Sequence, residues 1–161
     1  MKTGLCIISA AVTMLSFSSF TASNEESKTK QIVITSPFKK IKVDENIKVV
    51  LVPAGSVATA SVSGNAVLVE QTHIDVYRNQ LIVSSDREVR SEDDLTVYIP
   101  VGELSEINLA NGAEISARGE LHFDKLEVLV NVGSKVNLQV GGKVEMIPAS
   151  DCEFVYVKKG K

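Results

Sequence analysis

The segments INLANGAEISA (residues 107–117) and VLVNVGSKVNL (residues 128–138) decide the fold of this chain. Shifting the first segment by twenty-one positions superimposes the two and places Gly112 on Gly133. Each copy has two alternating apolar positions, a glycine turn, and a further apolar position that resumes the strand. A repeat near twenty residues is typical of an architecture in which short strands stack as successive rungs.

The repeat also predicts which side chains are buried. Leu109 and Val130 are equivalent apolar positions, so we expect them to be buried and stacked on adjacent strands about 4.8 Å apart. A weaker third copy lies eighteen positions beyond the second and has Asp instead of Gly at its turn. The residues of this third copy are Met146, Asp151, Phe154 and Tyr156.

Short apolar runs separated by turn-forming residues continue along most of the chain. The alternating run 95–99 stops at Pro100, and residues 78–80 (Arg-Asn-Gln) separate two runs in the manner of a tight hairpin. Val67 and Val69 are interpreted in the same way, as alternating strand positions. No window after the N-terminal segment has the spacing of an amphipathic helix. The pattern predicts an all-β fold, a β-solenoid of short strands with a β-sandwich as the alternative.

The N-terminal segment, residues 1–23, has the order of features of a secretory signal peptide. Lys2 is followed by an apolar stretch and by small residues suited to cleavage, and the stretch is short for a membrane span. We therefore expect an exported protein with no transmembrane span after cleavage. The rest divides into a flexible polar leader (24–31), a single β-solenoid domain (32–158) and a polar tail (159–161).

Cysteine content and net charge argue against a disulfide-stabilised protein and against a nucleic-acid-binding protein. Cys6 leaves with the signal peptide, so Cys152 is the single thiol of the mature chain, and no internal disulfide forms. Cys152 alternates with Phe154, so we expect it to be buried and unreactive. The formal net charge is −3 and no basic patch stands out, which argues against a nucleic-acid partner.

The residues that could carry chemistry do not form a recognisable set. His73 and His122 each have an Asp two positions on, but a zinc site needs three or four converging ligands, so we expect exposed histidines. The charged segment 84–94 is expected to be a solvated loop or an irregular edge. Its carboxylates lack the spaced loop of a calcium site but are the candidate ligands if calcium binds. These carboxylates are Asp86, Glu92, Asp93 and Asp94.

Many Ser, Thr and Asn residues are expected to point outward, without an aromatic platform beside them. They could hydrogen-bond a glycan or protein partner. No catalytic, cofactor-binding or metal-binding residue is predicted.

Four segments in order carry a resemblance to a known family. They are FKKIKVDENIKVVLV (38–52), HIDVYRNQLIV (73–83), LTVYIP (95–100) and LSEINLANGAEI (104–115). Together they resemble the family described as "putative auto-transporter adhesin, head GIN domain", a domain of unknown function. The resemblance implies a bacterial, secreted or envelope-associated protein with a right-handed β-helix-like fold, and it brings no established catalytic residues.

These observations favour an exported, non-catalytic envelope or cell-surface domain with an adhesin-like interaction with protein or glycan, in the periplasm or at the surface. One alternative is a carbohydrate-active enzyme, since β-helices also support polysaccharide lyases and hydrolases. Another is a purely structural envelope component. Self-association through end strands is a further route, because end strands expose unpaired backbone groups.

Overall fold

The computed structural model describes residues 27–55 and 58–149. Apart from one short helix, the regular structure in these residues is strand, which confirms the all-β prediction. The elements are β1 Ser27–Val33, β2 Lys40–Val43, β3 Lys48–Pro53, β4 Thr59–Asn65, α1 Ala66–Gln71, β5 Thr72–Tyr77, β6 Gln80–Ser85, β7 Leu95–Val101, β8 Glu106–Leu109, β9 Glu114–Ala117, β10 Leu121–Val130, β11 Lys135–Asn137 and β12 Val140–Pro148.

The strands form two six-stranded mixed sheets. Sheet A has the order β1-β4-β7-β3-β9-β11, and sheet B has the order β12-β10-β8-β2-β6-β5. Neighbours from β7 to β11 in sheet A and from β12 to β6 in sheet B are parallel. The antiparallel pairs lie at one end of each sheet, where β1 and β4 complete sheet A and β5 completes sheet B.

The twenty-one-residue repeat aligns as predicted. Leu109 pairs with Val130 between β8 and β10, and both side chains are buried. Ile115 pairs with Val136 between β9 and β11. In the third copy Met146 pairs with Val128, as the eighteen-residue offset predicts. Val128 is the position in the second copy that corresponds to Ile107 in the first. The other residues of that copy, and Cys152, lie outside the described residues.

The two glycine turns of the repeat stack on one another. Gly112 and Gly133 have φ angles of 71° and 73°, in the left-handed region that glycine adopts without strain. Gly112 N donates to Val132 O at 3.0 Å, which joins the two turns. Asn131 Nδ2 and Ser134 Oγ donate to carbonyls of the preceding copy, both at 2.7 Å. The turns are therefore held by polar side chains as well as by the backbone.

The core is aliphatic, with Phe123 as the aromatic residue among its buried members in the described residues. Inward side chains of both sheets alternate with outward ones along each strand. The largest fully buried side chains are Ile41, Ile47, Leu51, Leu81, Leu95, Ile99, Ile107, Leu109, Ile115, Leu126, Val43 and Val49.

The helix α1 is a correction to the sequence interpretation, which placed Val67 and Val69 in a strand. Asn65 caps the helix, because its Oδ1 accepts from Val67 N at 3.0 Å and Leu68 N at 3.4 Å. Leu68 and Val69 are the buried helix residues. Six residues are too few to show the helical periodicity on which a sequence prediction depends.

The N-terminal strand corrects the predicted leader over its last part. Residues 27–31 belong to β1, which pairs with β4 from Ser27 to Val33. The Lys28 side chain also forms an ion pair with Glu70 of α1. The sequence of this segment lacks a strong apolar alternation, so the pairing partner rather than local pattern determines its structure.

Two predicted turns are confirmed in detail. Arg78 and Asn79 both have positive φ angles, 49° and 66°, and form the two-residue connection of the β5–β6 hairpin. Of the predicted loop or irregular edge 84–94, residues 86–94 contain no strand, whereas Ser84 and Ser85 still belong to β6. The loop is nevertheless attached to the fold, because Val89 is buried and its carbonyl accepts from Asn46 Nδ2 at 2.8 Å.

Candidate functional site

The outward side chains of sheet A form a flat surface, which we call the Tyr98 face. In-register pairing places them in rows across the six strands. Most of these outward side chains are uncharged, and most of the uncharged ones are short and polar. One row contains Gln31, Ser61, Tyr98, Val50, Ser116 and Asn137, and the next contains Thr29, Ser63, Thr96, Lys48, Glu114 and Lys135.

An aromatic–arginine pair stands on this face. Arg118 Cζ lies 5.3 Å from the centroid of the Tyr98 ring, within the range of a cation–π contact. Arg118 follows the end of β9, where its backbone N donates to Leu51 O at 2.8 Å. Within the described parts of the chain, no carboxylate lies within ion-pairing distance of this guanidinium.

A shallow depression of about 340 Å³ lies beside the pair on the same face. Its lining combines short side chains with the long charged side chains of Lys48, Glu114 and Lys135. Lys48 Nζ bonds the Asp93 carbonyl at 3.4 Å, and Lys135 forms an ion pair with Glu114. The lining residues are Lys48, Val49, Val50, Thr96, Glu114, Ile115, Ser116, Lys135 and Asn137.

The depression therefore offers hydroxyl, amide, ammonium and carboxylate groups together with apolar lining residues. Such a mixture suits hydrogen bonding to a polar ligand. Tyr98 borders it, because Val50 of the lining is the register partner of Tyr98.

A second depression of about 400 Å³ lies at the β-bulge of β10, where the register with β12 shifts between His122 and Lys125. His122 is exposed there and stands over Gly141, where a Cβ atom would lie 2.3 Å from the imidazole Nδ1. Lys39 Nζ lies 2.8 Å from Glu103 Oε2. This hydrogen bond, with the charge attraction, raises the pKa of Lys39 and lowers the pKa of Glu103.

The two histidines lie on separate strands of sheet B. His73 is on the edge strand β5 and His122 is on β10, with three strands between them. His73 Nε2 lies 2.9 Å from Asp86 Oδ2, so its partner is not Asp75, the acid two positions on in sequence. Both imidazoles are exposed, as predicted.

The acidic segment uses its carboxylates locally. Asp93 Oδ2 accepts from Arg90 N at 2.8 Å, and Glu92 Oε2 accepts from Ser91 Oγ at 3.2 Å. Asp86 bonds His73 and is therefore directed toward sheet B. Across residues 27–55 and 58–149, no three or more His, Cys, Asp or Glu side chains converge in a way that could hold a metal ion.

The sequence reasoning missed the aromatic member of the Tyr98 face, since it expected no aromatic platform beside the outward polar residues. Alternation in the run 95–99 contains the signal: Leu95, Val97 and Ile99 are buried, so Tyr98 must point outward. Arg118 follows the end of a strand, and local pattern carries no signal that it approaches Tyr98.

The chain is thus an all-β domain with two mixed sheets and an extended polar face on sheet A. The chain belongs to the family described as "Putative auto-transporter adhesin, head GIN domain", whose model matches residues 37–150. This confirms the family resemblance. A comparison with curated proteins finds no match.

Solved structures share the fold. One described as a "putative adhesin" from Parabacteroides distasonis is 18% identical with a TM-score of 0.59, and another so described from Parabacteroides merdae is 21% identical with a TM-score of 0.51. Each match covers 78% of this chain and 57% of the other chain. A "putative lipid binding protein" from Parabacteroides distasonis is 13% identical, with a TM-score of 0.53 and coverages of 78% and 68%.

The chain thus spans little more than half the length of the two adhesin structures. Among the described residues, no helix has the length and apolar character needed to span a membrane.

Proposed function

We propose that this protein is an exported, non-catalytic, adhesin-like domain that binds a protein or glycan partner at the bacterial cell envelope through the Tyr98 face. The observation that carries the proposal is the depression beside Tyr98, where hydrogen-bonding and apolar side chains together form the lining. Family membership and the adhesin descriptions of structures with the same fold support it.

The positions of ionisable side chains support a non-catalytic role. A general acid or base must be available to a substrate. In the second depression Lys39 and Glu103 bond each other, and near β5 His73 bonds Asp86. Both contacts are exposed to solvent, as surface contacts that need no catalytic role are.

The N-terminal segment supports export. Residues 1–23 lie outside the described residues, so this part of the proposal rests on the order of charged, apolar and small residues. N-terminal sequencing of protein recovered from envelope or medium should give a start near Ser23 or Asn24. Intact Met1 in the cytoplasm would exclude export and, with it, an envelope role.

A right-handed β-solenoid is the architecture we propose for the two sheets. The consecutive strand pairs β2–β3, β8–β9 and β10–β11 each place one strand in sheet B and the next in sheet A. Neighbouring pairs are parallel and in register in both sheets, as stacked rungs would be. An experimental structure that shows a left-handed winding or two unconnected sandwich layers would contradict this.

Binding is tested with the mature protein against a glycan array and against envelope proteins. Tyr98→Ala should weaken binding, because it removes the aromatic ring at the border of the depression. Tyr77→Ala is the matched control: Tyr77 is exposed on sheet B and has its own arginine, Arg78, at 5.0 Å from its ring. If Tyr98→Ala and Tyr77→Ala bind the partner equally well, the binding site lies elsewhere on the molecule.

Catalysis is tested in parallel by polysaccharide cleavage with and without calcium. We expect no cleavage. Turnover that depends on calcium would overturn the non-catalytic proposal and favour a carbohydrate-active enzyme, with the acidic segment and the second depression as the first regions to mutate.

A further inference from the structure

We infer that the Tyr98 face binds an acidic glycan, a sugar chain that carries carboxylate groups, with Arg118 as the residue that recognises a carboxylate. This inference rests on the proposed function and specifies its partner. Four features of the face support it: the contact of Arg118 with Tyr98, the charge balance, the lining of the depression, and the positions of the cations.

Arg118 is prepared for an anion. Arg118 Cζ lies 5.3 Å from the centroid of the Tyr98 ring, and a guanidinium held beside an aromatic ring can still donate hydrogen bonds in its own plane. A carboxylate is the planar acceptor that matches two parallel N–H donors. In the described residues no carboxylate of the chain itself occupies this position.

The charge balance of the face favours an anionic partner. The strand positions of the face include the cations Lys48 and Lys135 and the carboxylate Glu114, which pairs with Lys135, and the cation Arg118 lies just beyond the end of β9. Lys48 Nζ bonds a backbone carbonyl at 3.4 Å, and in the described residues no carboxylate lies within ion-pairing distance of it. The chain as a whole has a net charge of −3, which makes this local positive excess a distinct feature.

The lining of the depression favours a sugar over an acidic peptide. Thr96, Ser116 and Asn137 provide hydroxyl and amide groups that both donate and accept hydrogen bonds, as sugar hydroxyls do. Of the three apolar lining residues, Val49 and Ile115 are buried, and half-buried Val50 is too small to accept the large apolar anchors on which peptide binding usually depends.

The positions of the cations favour an extended chain over a monosaccharide. Lys48 pairs with Glu114, so Arg118 lies four residues further along the strand direction. This corresponds to about 13 Å at about 3.3 Å per residue. This separation is between backbone positions, and an oligosaccharide laid along the strands can bring one carboxylate to each of them.

The test uses the mature protein and oligosaccharides of galacturonate, glucuronate and sialate, each compared with its methyl ester, which is uncharged but otherwise the same sugar. We expect binding to the acids and little binding to the esters. Arg118→Gln should weaken binding about tenfold to a hundredfold, the range for a hydrogen-bonded charged pair. Arg118→Lys keeps the charge but loses the planar fork, so most of the loss should remain.

The control variant is Arg78→Gln, which makes the same change in the equivalent pair on sheet B. Unchanged binding in Arg118→Gln, or an equal loss in Arg78→Gln, would overturn the inference. Equal affinity for acids and esters would overturn it while leaving a glycan-binding function intact. Equal affinity for a sulfated dextran would reduce recognition to charge alone and would also overturn it.

The remaining outcomes separate this inference from the proposed function. Binding to envelope proteins but to none of the acidic sugars would overturn the inference and retain the adhesin-like role. Binding to neither would overturn both.

Discussion

Replacing Gly112 by Ala tests how the stacked turns are held together. Gly112 and Gly133 occupy equivalent positions with nearly equal φ angles, so alanine at either position incurs a left-handed strain of about 1–2 kcal/mol. Only at Gly112 does the new Cβ collide, 2.1 Å from Asn46 Oδ1. At Gly133 the nearest atoms outside its chain neighbours are at 3.7 Å, an ordinary contact.

The collision lowers the stability of the fold because the Asn46 side chain forms a hydrogen bond that it would have to break. Its Nδ2 donates to the buried Val89 carbonyl at 2.8 Å, and moving the side chain leaves that carbonyl without its partner. The expected additional destabilisation is about 1–3 kcal/mol. Gly112→Ala should therefore lower the free energy of unfolding by about 1–3 kcal/mol more than Gly133→Ala does, as measured by denaturant unfolding followed by circular dichroism.

Asn46→Gly provides the internal check, because glycine accepts the φ of 57° at that position and removes the colliding atom. In that background Gly112→Ala should cost no more than Gly133→Ala. Equal costs of the two alanines in the original chain, or a surplus that persists beside Asn46→Gly, would refute the reasoning.

Three further outcomes are expected. Val130→Asp should cost several kcal/mol, because it places an unpaired charge in the aliphatic core, whereas Val132→Asp, at an exposed turn position, should change the melting temperature little. The hydrogen bond and charge of Lys28 lower the pKa of Glu70, so this pair should stabilise the attachment of β1 above pH 4.5, the usual value, and cease to do so as the pH falls through the lowered pKa. Hydrogen exchange of β1 amides should show this loss in the original chain and not in Glu70→Gln. Lys125→Gln should lower stability more at low salt than at high salt, because its ion pairs are exposed and screened.

Local sequence pattern predicted the parts of the fold whose stability is local or repeated. The repeat predicted the pairing of β8 with β10 and of β9 with β11, since equivalent apolar positions must meet in the same layer of the core. It could not predict that β2 lies between β6 and β8, because that order joins segments some forty and sixty-six residues apart. No periodicity in a single sequence specifies which distant strand is a neighbour.

Local sequence pattern likewise predicts part of the candidate site and not the rest. The outward direction of Tyr98 follows from strand alternation, but its meeting with Arg118 depends on β7, β3 and β9 being adjacent. The expected partner of His73 also changed for this reason: Asp75 is near in sequence, yet the β5–β6 hairpin and the segment that follows bring Asp86 to the imidazole.

Parallel, in-register strands also determine how charge is distributed on each face. On the outer face of sheet B they place Glu106, Glu127 and Glu145 side by side, an arrangement in which like charges repel. Lys40 Nζ lies 2.6 Å from Glu106, and Lys125 bonds Glu127 and lies 3.3 Å from Glu145. Lys125 thereby lowers the pKa of Glu127, and the carboxylates raise its own pKa. The row thus has its counter-charges within the protein.

The equivalent arrangement on sheet A leaves a different balance. There the row contains Lys48, Glu114 and Lys135 in adjacent strands, two ammonium groups around one carboxylate, and Arg118 adds a further cation near the end of β9. Since the carboxylate already pairs with Lys135, an anion supplied from outside is what would complete the set. On sheet B, the in-register strands bring lysines to the row of glutamates. On sheet A, the same strand geometry leaves an excess of cations, so we expect an acidic ligand to bind at the Tyr98 face.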